Sequence, residues 1–186
     1  MNVYDFDNTI LRGDSTARFF AYCLLRTPRM WLDAPGQILN GLLFLAKARK
    51  KQVFKQRMLR FLRWIDLQSV LPAFWEKNLS RVKPFYGTAH REDDVVISAS
   101  PEFLIRPACA HLGISHVMGS PVDPRSGIFR GPNCHGEEKV RRFREAFPQG
   151  KIDAFYSDSH SDDPLARLAQ RAILVKGDKL LPWNDA

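Results

Sequence analysis

Asp5 and Asp7 stand two residues apart in the segment Asn2-Val3-Tyr4-Asp5-Phe6-Asp7-Asn8-Thr9, directly after a short apolar run. Residues at i and i+2 of an extended strand point the same way, so both carboxylates face one site just beyond the strand. Two anions so close repel each other and raise one pKa unless a cation lies between them. Such a pair suits metal-assisted chemistry in which one carboxylate attacks and the other moves a proton. The pattern is not a calcium loop, because its sixth position is Ile10 rather than Gly and its twelfth is Thr16 rather than Glu.

The elements that must position this pair follow from the apolar pattern. From Asp14 to about Val82 the sequence reads as helices only. Asp14 or Ser15 can N-cap a helix carrying Phe19, Phe20, Cys23 and Leu24 and ending before Pro28. Phe54, Met58, Phe61, Leu62 and Ile65 recur at helical spacing, and Leu71 to Leu79 suggests another helix after Pro72. From Asp94 strands and helices alternate. Val95-Val96-Ile97 is a short buried strand, and Ser100 with Pro101 opens a helix to about Leu112. His116 to Met118 is a strand, Ile128-Phe129-Arg130 a small hairpin, and Glu137 to Phe147 a helix. Ile152 to Tyr156 is a strand, Pro164 to Gln170 a helix, and Ala172 to Val175 the last strand. Alternation of this kind predicts an α/β fold: a Rossmann-like parallel sheet, with an all-helical insertion after the first strand. Its ligands gather beyond the carboxyl ends of the strands.

Four polar signals fall at such ends. Ser98 follows the Val95–Ile97 strand, Lys139 lies in the first turn of the Glu137 helix, and Asp158 and Asp162 follow the Ile152–Tyr156 strand. Taken in order, Asp5-Phe6-Asp7-Asn8-Thr9, Ser98, Lys139 and Asp158-Ser159-His160-Ser161-Asp162 resemble motifs one to four of the haloacid dehalogenase-like (HAD) phosphohydrolases. The resemblance covers essentially the whole chain. The long insertion between motifs one and two is similar to the helical cap of subfamily IB. On that basis residues 1–13 and 86–186 are expected to form the catalytic core and residues 14–85 the cap.

The resemblance implies roles for these residues. Asp5 would attack phosphorus to form an aspartyl-phosphate and would also bind Mg²⁺. Asp7 would protonate the leaving oxygen, then activate water, and its backbone carbonyl would be a metal ligand. Asp158 would complete the protein ligands and Asp162 would orient the metal shell. Ser98 and Lys139 would bind phosphoryl oxygens. The chemistry is coherent without the family, because a phosphate monoester carries about two negative charges near neutral pH and needs positive charge around it. Asp7 favours phosphate ester cleavage, since the dehalogenase members lack that second acid. The histidines receive no catalytic role, and Asp163 reads as the cap of the helix that follows it. Hydrolase and phosphotransferase both remain open.

Composition bounds the partners. The chain has 186 residues, 45% of them hydrophobic, so it can bury a substantial core. Residues 12–85 hold 15 Lys/Arg against 4 Asp/Glu, while the remainder is mildly acidic. A basic module implies an anionic partner. The main expectation is a small phosphorylated substrate. In phosphoserine phosphatase-like members a glutamate shortly after motif one holds the substrate amine, and Asp14 stands at that position here. Phosphatidylglycerophosphatase-like members are similar too, in their long, basic, apolar cap and in Ser98-Ala99-Ser100-Pro101. That points to a lipid phosphate at an anionic membrane surface. Met30 to Ala46 is too short and interrupted to span a bilayer, which takes about 20 mostly apolar residues. The basic run Lys47 to Lys51 directly after it would suit such a surface, while the plainer expectation is an ordinary cap helix that packs its apolar face against its neighbours and leaves a solvated basic side. A nucleic-acid-binding module is the reading from a different class, with Trp31, Trp64, Trp75 and Phe61 as stacking groups. Cys23, Cys109 and Cys134 have no secretory segment before them and read as reduced thiols of a cytoplasmic protein. Cys134-His135 has no second pair at zinc spacing.

Overall fold

The computed structural model describes residues 1–47 and 51–184. Strand β1 (Asn2–Tyr4) is short and wholly buried, and the chain leaves it for a long helical excursion. That excursion comprises α1 (Ser15–Leu24), α2 (Ala34–Leu45), α3 (Lys51–Met58), α4 (Leu67–Asn78) and α5 (Pro84–Ala89). Tight 3₁₀ segments, Pro28–Asp33, Leu59–Trp64 and Leu79–Arg81, lie between them. The chain then returns to β2 (Val95–Pro101), followed by α6 (Glu102–His111), β3 (His116–Ser120), α7 (Glu137–Ala146) and β4 (Ile152–Ser157). It ends with α8 (Asp163–Ala166), β5 (Ala169–Lys176) and β6 (Lys179–Pro182).

Among the described residues the strands form one sheet in the order β3-β2-β1-β4-β5-β6, parallel except for the antiparallel β6. Helices cover both faces, so strand residues are apolar on alternate sides without a polar face. Val3, Val95, Ile97 and Phe155 pack with Phe143 and Leu165 on one side. Tyr4 and Val96 pack on the other with Phe6, Phe19, Phe61, Phe74, Trp75 and Leu104. Successive residues of β1 and β2 therefore feed opposite cores, as the period of two requires.

Aromatic side chains join the helical excursion to the sheet. Phe74 of α4 lies edge-on to Phe19 of α1 at 5.1 Å and to Trp75 at 4.9 Å. Trp75 in turn meets Phe6, just past β1, at 5.9 Å, and its indole N–H donates to the Leu104 carbonyl at 2.7 Å. Trp75 and Phe61 are thus core residues rather than stacking platforms for bases.

Several elements differ from the sequence expectation. Helix α4 begins four residues early and carries Pro72 within it, because Asp66 caps it by accepting from the Gln68 N–H at 3.2 Å. The period through Phe54 to Ile65 divides into α3 and a 3₁₀ segment. Helix α5 extends the helical stretch past Val82 and runs across the 85/86 boundary, with Tyr86 edge-on to Tyr4 at 5.3 Å. β2 continues through Ser98 to Pro101, with a register shift against β3 between Ile97 and Pro101, so α6 opens only at Glu102. The expected hairpin reduces to one bridge, Val122 to Phe129. Its tightness shows at Gly127, where φ is +73° and an added Cβ would lie 2.1 Å from the Leu59 carbonyl oxygen.

The C-terminal region departs most. Ala169 and Gln170 already belong to β5, which leaves α8 one turn long, and β6 was not anticipated. β6 carries Trp183 to Asp163, whose carboxylate accepts from the indole N–H at 2.8 Å; it does not cap the helix. The basic run at 47–51 falls mainly outside the described residues.

Phe74→Ala tests the aromatic join. It is expected to destabilise the protein by about 3–5 kcal/mol, measured by urea unfolding followed by circular dichroism, with the sheet and the helical excursion losing structure in one transition.

Candidate active site

β1 and β4 lie side by side where the strand order reverses, so the crevice beyond their carboxyl ends is the natural site in such a sheet. The first residue past β1, Asp5, is tied to β4 by its N–H, which donates to the Tyr156 carbonyl at 2.9 Å. The backbone then turns at Asn8, whose φ is +56°, a left-handed conformation that Asn tolerates better than most residues. Lys83 holds this turn from outside the site. Its ammonium donates to the Asn8 carbonyl and, at 2.6 Å, to the Gly177 carbonyl.

The turn presents Asp7 to α1 and β2. The Ser15 N–H donates to Asp7 Oδ1 at 2.8 Å, and the Ser100 hydroxyl donates to Oδ2. Thr16 shares a hydrogen bond with Ser100 at 3.1 Å. Burial, and after it the charge of Asp14, pushes the Asp7 carboxyl up to about 7 against those donors. Asp14 is the N-cap of α1, accepting from the Ala17 N–H at 2.8 Å.

Lys139 sits in the first turn of α7, behind Gly136, and is 2% exposed. Its Nζ donates to Asp5 Oδ1 at 2.8 Å and to Asp162 Oδ2 at 2.7 Å. Asp162 also accepts from the Ser157 hydroxyl at 2.8 Å. Burial alone would lower the lysine pKa, but the two carboxylates beside it raise it well above its ordinary value, so the ammonium stays charged. Burial raises the Asp5 carboxyl, Lys139 opposes that, and the charge of Asp162 adds to it. Asp158, just past β4, is raised by burial and by the charge of Asp5. Ser98 is buried within β2, its hydroxyl accepting from the Ser100 N–H at 3.2 Å.

Asp5, Asp7, Asp14, Ser98, Lys139, Asp158 and Asp162, the residues given catalytic, substrate or metal roles from the sequence, all line one cavity of about 240 Å³. Three further residues were missed. Ser100 binds Asp7, Ser157 binds Asp162, and Lys55 of α3 lines the cavity and donates to the Ala99 carbonyl at 3.2 Å. Ser100 repeats behind Ser98 the i, i+2 spacing of Asp5 and Asp7, a signal available in the sequence. Lys55 had no local signal beyond being one cation among many.

The donor set is suited to a hard divalent cation. Asp5, Asp7 and Asp158 are oxygen donors whose carboxyls are raised by burial first and by neighbouring acidic charge second, so a bound cation would favour their charged forms. Among the described residues no three acidic, His or Cys side chains stand together as a ready-made ligand cluster, and Asp5 and Asp162 are each engaged with Lys139.

Residues 3–167 match the family model of haloacid dehalogenase-like hydrolases. A histidinol-phosphatase of Neisseria meningitidis is 24% identical over 205 residues, covering 95% of this chain and 90% of that protein. Among solved structures, a protein of unknown function from Bordetella pertussis superposes with a TM-score of 0.75 at 19% identity, covering 94% of this chain and 88% of the other. A phosphoserine phosphatase described as a phospho-aspartyl intermediate analogue superposes with a TM-score of 0.58 at 12% identity, covering 92% and 84%.

Lys139→Ala removes the cation between two buried carboxylates. Denaturant unfolding in the presence of a chelator is expected to show a loss of about 3–5 kcal/mol. A loss under about 1 kcal/mol, the scale of an exposed pair, would contradict the buried bridge.

Proposed function

The chain belongs to the haloacid dehalogenase-like hydrolases, and from that premise we propose that it is a phosphomonoester hydrolase working through an aspartyl-phosphate. Asp5 Oδ attacks phosphorus, a bond forms between them, and the ester P–O bond breaks. Asp7 transfers its proton to the departing oxygen, so an alcohol leaves rather than an alkoxide. The Asp7 carboxylate then takes a proton from water as that water attacks phosphorus. The Asp5–phosphoryl bond breaks and inorganic phosphate is released.

Lys139 and Ser98 bind the phosphoryl oxygens and stabilise the charge gathered there in the transition state. Ser100 and the Ser15 N–H keep Asp7 aligned. Asp5, Asp158 and the Asp7 carbonyl, with Asp162 behind them, would hold Mg²⁺, which when bound would supply Lewis-acid stabilisation of the phosphoryl group.

The observation that carries this reading is the buried Asp5–Lys139–Asp162 bridge beside a separately held Asp7, in one small polar cavity. A nucleophile, a phosphoryl-binding cation and a proton carrier are thereby assigned to different residues. The leaving group meets the wall formed by Asp14 and Lys55, one charge of each sign. A small phosphorylated amine or amino acid suits that wall, in line with the histidinol-phosphatase and phosphoserine phosphatase names among the similar proteins. The core-and-cap division at residues 14–85 is part of the same proposal, the cap providing Lys55 and Asp14.

With p-nitrophenyl phosphate and Mg²⁺ the protein is expected to turn over, and to stop when the metal is chelated. Asp5→Asn should fall to background, and Asp7→Asn should lose about 10²–10⁴ in kcat. Activity near the unsubstituted level in Asp5→Asn would overturn the mechanism.

A further inference from the structure

Helix α2 is inside out. Its polar side chains point to its neighbour: Asn40, 1% exposed, donates to the Phe54 carbonyl at 3.1 Å, and Gln37 donates to the Arg57 carbonyl at 3.1 Å. Phe44 stacks on Phe54 at 4.4 Å on the same inner side. The outer side carries Ile38, Leu39, Leu42 and Leu45, each between 56% and 77% exposed. Their spacing of i, i+1, i+4 and i+7 makes one continuous stripe. Trp31 (58%) and Leu32 (78%), in the 3₁₀ segment leading into α2, extend the apolar surface. A helix that merely covers a core has the opposite arrangement, and an exposed apolar patch of this size on a folded protein marks a contact surface.

The charges around it are one-sided. From Arg26 to Arg63 the sequence holds ten Lys and Arg against one acid, Asp33. Asp33 is engaged by Arg63 at 2.7 Å and by the Trp64 indole at 3.0 Å. Arg29 and Lys47, before and after α2, are both exposed.

We propose that this face lies on an anionic lipid bilayer, with Ile38, Leu39, Leu42 and Leu45 in the headgroup–acyl boundary and the flanking cations over the lipid phosphates. An aliphatic stripe with a cationic margin and an adjoining tryptophan is the composition of an interfacial helix. At 12 residues α2 is about 18 Å long, and among the described residues no helix is long and apolar enough to cross a membrane. It therefore rests on the surface. A second copy of the chain is a poorer occupant, because a two-fold contact would set this cation-rich surface against itself. A nucleic acid would neutralise the cations and leave the leucines in water. Among the described residues no α2 side chain lines the Asp5 cavity, so the inference stands apart from the catalytic reading.

The test is co-sedimentation of the full chain with vesicles of phosphatidylcholine alone or mixed with phosphatidylglycerol. Each cation near an anionic leaflet multiplies affinity several-fold, so the expected preference for the mixed vesicles at low salt is at least about tenfold. That preference should fall sharply at about 0.5 M salt. Ile38→Gln with Leu42→Gln removes apolar surface without changing charge or losing a helix former, and should cut binding at least about tenfold. Its circular dichroism spectrum and melting temperature should be unchanged. Arg29→Gln with Lys47→Gln should reduce the preference for phosphatidylglycerol. Equal binding to both vesicles, or binding unaffected by the Ile38/Leu42 pair, overturns the proposal. So does concentration-dependent self-association, abolished by that pair, in a protein that ignores vesicles.

Discussion

Lys139 lies buried between Asp5 and Asp162 and joins three parts of the chain that are distant in sequence: the end of β1, the start of α7 and the turn after β4. Two carboxylates and an ammonium are costly to remove from water, and they remain only because each satisfies another. The Ser157 hydroxyl donates to the same Asp162 oxygen as Lys139, and the Tyr156 carbonyl takes the Asp5 N–H. The carboxyl end of the sheet is therefore held in register by charge as well as by strand pairing. The same cavity holds Asp7 and Asp158, both raised by burial and by neighbouring acids, so a cation bound there would favour their charged forms and offset their repulsion of an anionic phosphoryl group.

The helical excursion depends on a second, apolar constraint. Phe19, Phe61, Phe74 and Trp75 continue the core that begins at Tyr4 and Phe6, so α1 and α4 are anchored to the sheet by packing density. With α1 anchored, Asp14 has a definite position at the cavity wall, and Lys55 of α3 is held there by its bond to the Ala99 carbonyl. The remaining part of the excursion, α2, obeys neither constraint. Its inner contacts with α3 are amide-to-carbonyl hydrogen bonds and the Phe44–Phe54 stack, and Ile38, Leu39, Leu42 and Leu45 are left outside. That division of labour separates the side that faces the proposed reacting atoms from the side proposed to meet an anionic surface.

Much of the site was legible because its chemistry depends on residue type at strand ends. Asp5, Asp7, Ser98, Lys139, Asp158 and Asp162 could be read from apolar runs that stop at polar residues, and one cavity contains them all. Ser100 was read as a helix start, because Ser-Pro suits one locally. In the fold it lies within β2, in the irregular stretch between the Ile97 and Pro101 pairings, and its hydroxyl meets Asp7. Asp163 failed for a similar reason. A local rule made it a cap, while β6, a strand with little apolar alternation, delivered the Trp183 indole to it.

The sequence by itself determined the parallel α/β sheet, the helical insertion after the first strand, and the acids, serine and lysine that the family motifs contain. These are local matters of periodicity, capping and residue chemistry, all readable within a few residues. Tertiary structure alone decided which carboxylates Lys139 would bridge, that Lys55 would reach the cavity from α3, and that α2 would turn its leucines outward. Each of those depends on groups far apart in the chain. Amphipathic periodicity identifies the apolar face of a helix, but whether that face is covered depends on what the rest of the fold packs against it.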